Sequence, residues 1–271
     1  MSRLDAELVR RGLARSRGEA RDLVTTGLVA VDGRVAMKPS VDVAAHADLK
    51  VLEAGPRWVG RAAHKLAAAL EAWGPEGLDA SGRRCIDVGA STGGFTQVLL
   101  AAGATTVVAV DVGHGQLAPE LARDPRVEEL SGTTVRGLRP DDIGGPGELV
   151  VADLSFISLA LVMQDLKGLL APGGDLVALV KPQFEVGRGR LNRQGVVTSP
   201  VDRENALLAV VAAVRECGLQ VHGIRASPIS GTTGNSEYLL WARSDPSDTM
   251  SEDRVREVVR EIMSVETGGA R

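Results

Sequence analysis

The sequence predicts an α/β protein: an open, mostly parallel sheet of seven strands, preceded by a small α+β unit. Three observations carry this. From Arg61 onward, short apolar runs alternate with amphipathic stretches, the pattern of strand–helix units that build a parallel sheet. The run Cys85–Gly94, CIDVGASTGG, reads as a buried strand, a glycine turn and the start of a helix. A second strand, Thr106–Asp111, ends in an acid 22 positions after Gly89, the spacing of a nucleotide-type cofactor site.

The glycine pattern is not the G-x-G-x-x-G of a dinucleotide site. The interval from Gly89 to Gly93 is longer, and Asp87 precedes Gly89 by two residues. A pyrophosphate favours a helix N-terminus free of nearby negative charge. S-adenosylmethionine has no phosphate and carries a sulfonium and an ammonium, so a carboxylate suits it. The stretch therefore reads as an S-adenosylmethionine turn. Its candidate cofactor residues are Asp87, Gly89, Ala90, Ser91, Gly93, Gly94 and Phe95, then Asp111 for the ribose hydroxyls with Val112 beside it, and Asp153. Gly89 and Gly93 are expected to let the backbone approach the ligand. A glycine-rich turn with no ligand is the plainer alternative.

A length of 271 residues allows one large domain, or a small one and a medium one. Apolar residues make up 44% but aromatics only 3%, so the core is built from Val, Leu and Ala. The net charge is −4, unevenly spread: residues 1–38 hold seven Arg and one Lys against five acids, a surplus of +3, which leaves −7 for the rest. A basic end on an acidic body points that end toward a polyanion, although a solvated helix face would also account for it. Cys85 and Cys217 have no metal-ligand spacing, fit a reducing compartment and read as core residues. The start has no apolar leader, and no run of 18 apolar residues exists, so a cytoplasmic protein without a membrane span is expected.

In the small unit, Arg3–Gly12 places Leu4, Leu8 and Val9 on one face of a helix that Gly12 ends. Ser16 caps a second helix, Glu19 completes a capping box, and Gly27 ends the helix. Strand-like LVAV and RVA flank an Asp32-Gly33 hairpin turn, Lys38-Pro39 follows, and a last strand lies near 48–52. Arg10, Arg11, Arg15, Arg17 and Arg21 cluster on and between the helices. The string RLDAELVRRGLARSRGEARDLVTTGLVAVDGRVAMKPS resembles the S4-type RNA-binding domain over almost its whole length. The resemblance implies that the basic helix pair rests on structured RNA through Arg15, Arg17, Arg21 and Lys38. A helix–hairpin unit that binds protein is the alternative.

Residues 54–60 read as a linker, marked by Gly55, Pro56 and Gly60, between domains 1–53 and 61–271. Trp58 reads as a packing residue rather than a platform for a base. The helix RAAHKLAAALEAW turns Ala62, Leu66, Ala69, Leu70 and Trp73 inward, with His64 and Lys65 in its first turn. Later strands are expected at 106–111, 127–130, 149–153, 175–181, 219–226 and 237–242, the last two an antiparallel pair. Helices fall between them. The loop 187–195, GRGRLNRQG, is basic: Arg188, Arg190 and Arg193 either hold phosphates or are merely solvated. Residues 252–264 read as an exposed terminal helix. Seven strands with the glycine turn after the first give a Rossmann-like methyltransferase fold.

In such sheets ligands bind beyond the carboxyl ends of the strands. Asp111, Asp153, Lys181 and, near the last strand, Glu237 stand at those ends. A charge at the tip of a buried strand needs a ligand or a partner. After the fourth strand comes DLSF, without the Asn/Asp-Pro-Pro-aromatic element common in enzymes that methylate base amines and without the Cys needed at cytosine C5. Lys, Asp, Lys and Glu suit deprotonation of a hydroxyl. A lysine at its reference pKa of about 10.4 is a poor base at neutral pH; a second ammonium and partial burial favour the neutral amine.

The motifs RAAHKL, DVGASTGGFT, AVDVGHGQL, VADLSFISL, VKPQFEVGRG and GNSEYLLW together resemble the TlyA family over roughly residues 2–243. That family joins an S4-type domain to an FtsJ-like 2′-O-ribose methyltransferase domain. The resemblance implies S-adenosylmethionine-dependent methylation of cytidine 2′-hydroxyls in ribosomal RNA, within ribosomal subunits, by a monomer that uses no metal. Its K-D-K-E tetrad falls on Lys65, Asp153, Lys181 and Glu237. Members with a full basic first helix are associated with both 16S and 23S RNA and with sensitivity to capreomycin-type antibiotics. After the third strand, Thr133 and Thr134 stand where relatives often carry Asn or Asp against the adenine. The family also carries a haemolysin label, which the missing membrane span and pore segment disfavour. A non-catalytic RNA-binding or ribosome-assembly factor is the remaining reading, and the intact tetrad weighs against it.

Overall fold

The computed structural model describes residues 2–25, 27–52, 58–245 and 249–268. The first unit runs β1 (Ser2–Arg3), α1 (Leu4–Arg10), α2 (Arg17–Thr25), β2 (Val29–Val31), β3 (Arg34–Val35), β4 (Asp42–Val43) and β5 (Leu49–Val51). Leu4 and Leu8 of α1, and Ala20 and Val24 of α2, are each four apart and so share a helix face. They meet Val29, Val43 and Leu49 in a separate small core. The hairpin turn uses Asp32 and Gly33 at φ 49° and 77°, the positive values a type I′ turn requires. β1 and β4 pair over two residues each, too short to leave a pattern in the sequence. The expected capping box forms by half. The Glu19 N–H donates to Ser16 Oγ at 3.2 Å, but the Glu19 carboxylate turns to the Arg15 N–H at 2.6 Å and to its guanidinium.

Of the expected linker, residues 54–57 lie outside the described residues, and Trp58 packs against the apolar cluster of the second unit. That unit runs α3 (Ala63–Trp73), β6 (Arg84–Val88), α4 (Gly94–Ala101), β7 (Thr106–Asp111), α5 (Pro119–Ala122), β8 (Val127–Ser131) and β9 (Gly147–Ala152). It continues with α6 (Leu159–Gly168), β10 (Leu170–Val180), α7 (Pro182–Glu185), α8 (Pro200–Glu216), β11 (Gln220–Ala226), β12 (Tyr238–Arg243) and α9 (Glu252–Gly268). The strands form one sheet in the order β11-β12-β10-β9-β6-β7-β8. β12 runs antiparallel to both its neighbours, β10 and β11. The chain leaves β6 toward β7 and β8, then returns to β6's other side with β9. The crevice between β6 and β9 is therefore the topological switch point, where such sheets bind ligands.

Alternate residues of each central strand face opposite layers. Leu149 and Val151 of β9 join the cluster under α3 and α4, while Val150 and Ala152 join the cluster under α6, α8 and α9. With both faces covered, the strands read as unbroken apolar runs. The terminal helix corrects the sequence reading, which left it exposed. Val255, Val259 and Met263, spaced by four, are buried on the same face as α6 and α8. Cys85 is fully buried and burial pushes its thiol up to about 12, whereas Cys217 is only half-buried.

A buried acid fixes the edge of the sheet opposite the switch point. Asp175 accepts from Trp241 Nε1 at 2.7 Å and pairs with Arg83 Nη1 at 2.6 Å and Arg243 Nε at 2.9 Å. Asp175→Ala is expected to cost about 3 kcal/mol, the lower end for breaking a buried pair, because both arginines keep part of their surface in water. Urea unfolding measures this, and a loss below about 1 kcal/mol contradicts the role.

Candidate active site

Gly89 follows β6, Asp153 follows β9 and Lys181 follows β10, so all three stand at carboxyl ends. Because β12 runs the other way, its beginning lies at that same edge, and Glu237 just before it arrives there. Lys65 enters from the first turn of α3. The four side chains form one nearly buried ion-pair network. Lys181 Nζ is 2.6 Å from Asp153 Oδ1, and Lys65 Nζ is 3.3 Å from Asp153 Oδ2 and 2.7 Å from Glu237 Oε2. Lys181 Nζ also donates to Ser155 Oγ at 2.9 Å. Two ammoniums and two carboxylates balance, which is the condition for burying any of them. Burial pushes the Asp153 carboxyl up, but the adjacent Lys65 and Lys181 ammoniums outweigh it and hold the group below the usual range.

A cavity of about 720 Å³ opens beside the network, in the size range of small-molecule sites. The turn Gly89–Thr92, Gly94 and Phe95 form one wall. At the rim stands Phe156, 92% exposed and held at φ 64°, in contact with the Phe184 ring at a centroid distance of 5.4 Å. A bulky residue with positive φ marks strain that the surrounding structure sustains. Arg61 and Arg188 also line the cavity, and Arg61 is hydrogen-bonded to Thr232.

The residues of the turn divide into several roles. Gly89 sits at φ 85°, and a Cβ there would lie 2.7 Å from the Asp153 carbonyl oxygen, so its bareness lets two strand tips close up. A Cβ at Gly93 would run into the Leu117 and Leu121 side chains, and one at Gly94 would lie 3.0 Å from the Ala63 nitrogen of α3. Asp87 Oδ2 accepts from Thr96 Oγ1 at 2.6 Å, while its buried Oδ1 has no partner among the described residues. Burial pushes the Asp87 carboxyl up to about 7. An unmatched buried carboxylate oxygen is what an ammonium group satisfies. Asp111 lines a separate small cleft; its Oδ2 accepts from the Ser91 N–H at 2.8 Å and its Oδ1 from the Gly113 N–H at 2.7 Å. Val112 beside it is exposed, and the Thr133 N–H donates to the Asp111 carbonyl at 2.9 Å, with Thr134 next in the chain. Asp87 lines neither cavity, but its unmatched oxygen lies just behind the bare turn, and with the acid of β7 these features fit S-adenosylmethionine. Among the described residues, no group of three His, Cys, Asp or Glu is placed to hold a metal ion.

The candidate RNA contacts are sorted just as unevenly. Arg15 is exposed and pairs with Glu19, whereas Arg17 and Arg21 both reach Asp5. Arg11 is structural: it pairs with Glu7 and donates to the Ala45 and Ala47 carbonyls. Lys38 is exposed. Arg190 turns away from the cavity to Asp202, leaving Arg188 at the wall. The loop 187–195 is anchored at its far end, where the buried Asn235 side chain accepts from the Val197 N–H and donates to the Gly195 carbonyl, both at 2.9 Å. Sequence reasoning missed Arg3, Arg61, Ser155 and Phe156. A signal for the last two lay in DLSF, a polar and an aromatic residue just past a strand tip.

An FtsJ-like methyltransferase family model matches residues 58–244, and an S4 domain model matches residues 2–49. Over 264 residues the chain is 50% identical to the 16S/23S rRNA (cytidine-2′-O)-methyltransferase TlyA of Mycobacterium tuberculosis, covering 97% of both chains. It is 32% identical to Hemolysin A of Brachyspira hyodysenteriae, covering 88% of this chain and 98% of that one. A solved protein of Streptococcus thermophilus, provisionally named a hemolysin, superposes with a TM-score of 0.72 at 35% identity, covering 99% of this chain and 98% of that one. Among the described residues, no helix is long and apolar enough to cross a membrane.

Lys65→Met is expected to cost about 3–5 kcal/mol near neutral pH, since it strips a buried network of one cation. The parent's low Asp153 carboxyl stabilises the fold above the unfolded carboxylate range, and that contribution is lost as pH falls through the folded value. In the variant Asp153 keeps Lys181 but loses the Lys65 ammonium, so its folded-state titration moves up from the parent's and its carboxyl takes up a proton at higher pH than in the parent. The deficit relative to the parent therefore narrows on acidification. Urea unfolding at about pH 7.5 and about pH 5.5 measures it, and equal deficits at both contradict the network.

Proposed function

From a chain that belongs to the TlyA family of rRNA (cytidine-2′-O)-methyltransferases, we propose an enzyme that methylates cytidine ribose 2′-hydroxyls in 16S ribosomal RNA, 23S ribosomal RNA or both. S-adenosylmethionine is the methyl donor in this reading, and ribosomal subunits met by a monomer in the cytoplasm are the substrate. Sensitivity to capreomycin-type antibiotics follows from the same reading, as does the division into domains 1–53 and 61–271 with a linker at 54–60. The observation that carries it is the Lys65–Asp153–Lys181–Glu237 network at the switch point, beside a cavity whose other wall is the glycine turn.

When bound, the cofactor supplies a methyl group already activated by its sulfonium. The protein's task is then alignment and proton removal. Asp153 and Ser155 fix Lys181 Nζ at the cavity wall, where it takes or steers the proton of the 2′-hydroxyl. Lys65, anchored by Glu237, adds a second positive charge beside the same Asp153 carboxylate. Asp87 would balance the cofactor's ammonium, and Asp111 would receive its ribose hydroxyls. The exposed face of Phe156 offers a platform on which an unpaired base stacks as its ribose enters the cavity. Arg188 at the wall, and Arg15, Arg17, Arg21 and Lys38 on the first unit, hold RNA phosphates.

Primer extension at low nucleotide concentration, on ribosomal RNA from cells with and without the protein, tests the proposal. A stop at a cytidine seen only with the protein is expected, and its absence from both RNAs refutes the reading. Lys181→Arg refines it, because arginine keeps the charge and cannot act as a base. Single-turnover methyl transfer is expected to fall as far as in Lys181→Ala; recovery of most of the activity would make Lys181 a phosphate clamp. Asp87 gives a pH signature. Its carboxyl ionises near 7, so cofactor affinity is expected to rise as pH climbs through that value. Calorimetric titration of Asp87→Asn is expected to show binding about tenfold weaker and no longer pH-dependent over that range, in line with a charged hydrogen bond.

A further inference from the structure

Asp5 is an acid in the middle of the basic face, and it is fully buried. Three guanidiniums converge on its carboxylate. Arg3 donates through Nε and Nη2 at 3.1 and 3.0 Å, Arg17 through Nη2 at 3.3 Å, and Arg21 through Nε at 3.3 Å. The acid itself is pinned, since the Leu4 and Asp5 N–H groups donate to the Val41 and Pro39 carbonyls at 2.8 and 3.0 Å. That bond also brings the chain at Lys38 beside the same anchor. Hydrogen bonds from Arg3 hold the Asp5 carboxyl well below the usual range; burial opposes this, and Arg21 and Arg17 add to it.

The arginines are not used up by this arrangement. Their side chains stay 45%, 55% and 57% exposed, and a guanidinium has five N–H donors, of which Asp5 engages at most two. Arg11 shows the contrast: its donors are taken by Glu7 and two backbone carbonyls, and it is mostly covered.

We infer that Asp5 is a positioning residue that gathers Arg3, Arg17 and Arg21 into one preformed guanidinium array for the phosphates of structured RNA. The inference rests on the reading of the chain as an rRNA-binding enzyme, and adds to it Arg3 and the organising carboxylate. Three free arginines so close together would repel one another and lose side-chain freedom on meeting RNA. A carboxylate beneath them offsets the repulsion and orders them beforehand, so less is lost on binding.

The sign of the effect separates positioning from bulk charge. Removing an acid from a phosphate-binding face strengthens binding if only charge counts; removing an organiser weakens it. With the full chain and extracted ribosomal RNA as probe, Asp5→Asn is expected to raise the Kd about tenfold and to flatten the salt dependence by about one phosphate contact. In turnover the loss falls on KM for RNA. Unfolding curves and cofactor affinity verify that the variant is folded. Unchanged or tighter RNA binding by a folded Asp5→Asn protein overturns the inference. Arg17→Gln tests the reading beneath it: if that change leaves RNA affinity and salt slope at parent values, this face does not read RNA at all. Should Asp5→Asn not fold, Arg3→Gln, Arg17→Gln and Arg21→Gln are compared singly and in pairs. An array gives pair losses that depart from the sum, whereas additive losses mean independent contacts and overturn the inference.

Discussion

Asp153 sits between two buried ammoniums, and the active edge of the sheet is arranged to permit it. Lys65, Asp153, Lys181 and Glu237 come from a helix start, two parallel strand tips and the beginning of an antiparallel strand. No member of the set is tolerable alone in that position, so each strand has to deliver its residue in register. The pairing of Val180 with Tyr238 brings Lys181 opposite Glu237, yet Glu237 bonds Lys65 instead. Lys181 is thereby left with Asp153 and Ser155 at the cavity wall. The close approach at Gly89, whose missing Cβ admits the Asp153 carbonyl, is a further condition of the same geometry.

The first unit answers a similar electrostatic problem in the opposite sense. Its acids Asp5 and Glu7 are buried beneath arginines that reach water. A simple count of charges over residues 1–38 gives a modest surplus and understates what the surface presents. Two of the five acids, Asp5 and Glu7, face inward while Arg3, Arg10, Arg17 and Arg21 reach water, so the face around them is more positive than its composition. On a body of net −7, such a face is where a polyanion meets least repulsion.

Glycines and strain divide the labour around the cavity. Gly93 and Gly94 allow α4 to pack against α5 and α3, which fixes the turn from behind. Ser91 and Phe156 adopt positive φ without being glycine, one in the turn and one at the rim. Strain sustained at such points is common where a site is held ready for a ligand.

The sequence by itself determined the α/β class, the order of the strands along the chain, the cofactor turn and the charged residues at the strand tips. These are local signals: period-two and period-3.6 patterns, a glycine turn, and a charge directly after an apolar run. Partnership was beyond their reach. That β12 lies between β10 and β11, that Glu237 serves Lys65, that Arg17 and Arg21 share a buried carboxylate with Arg3, and that α9 docks on the sheet all join residues far apart in the chain. Such pairings depend on strand register and on which faces pack together, and those are settled only when the whole chain buries its apolar surface and matches its buried charges at once.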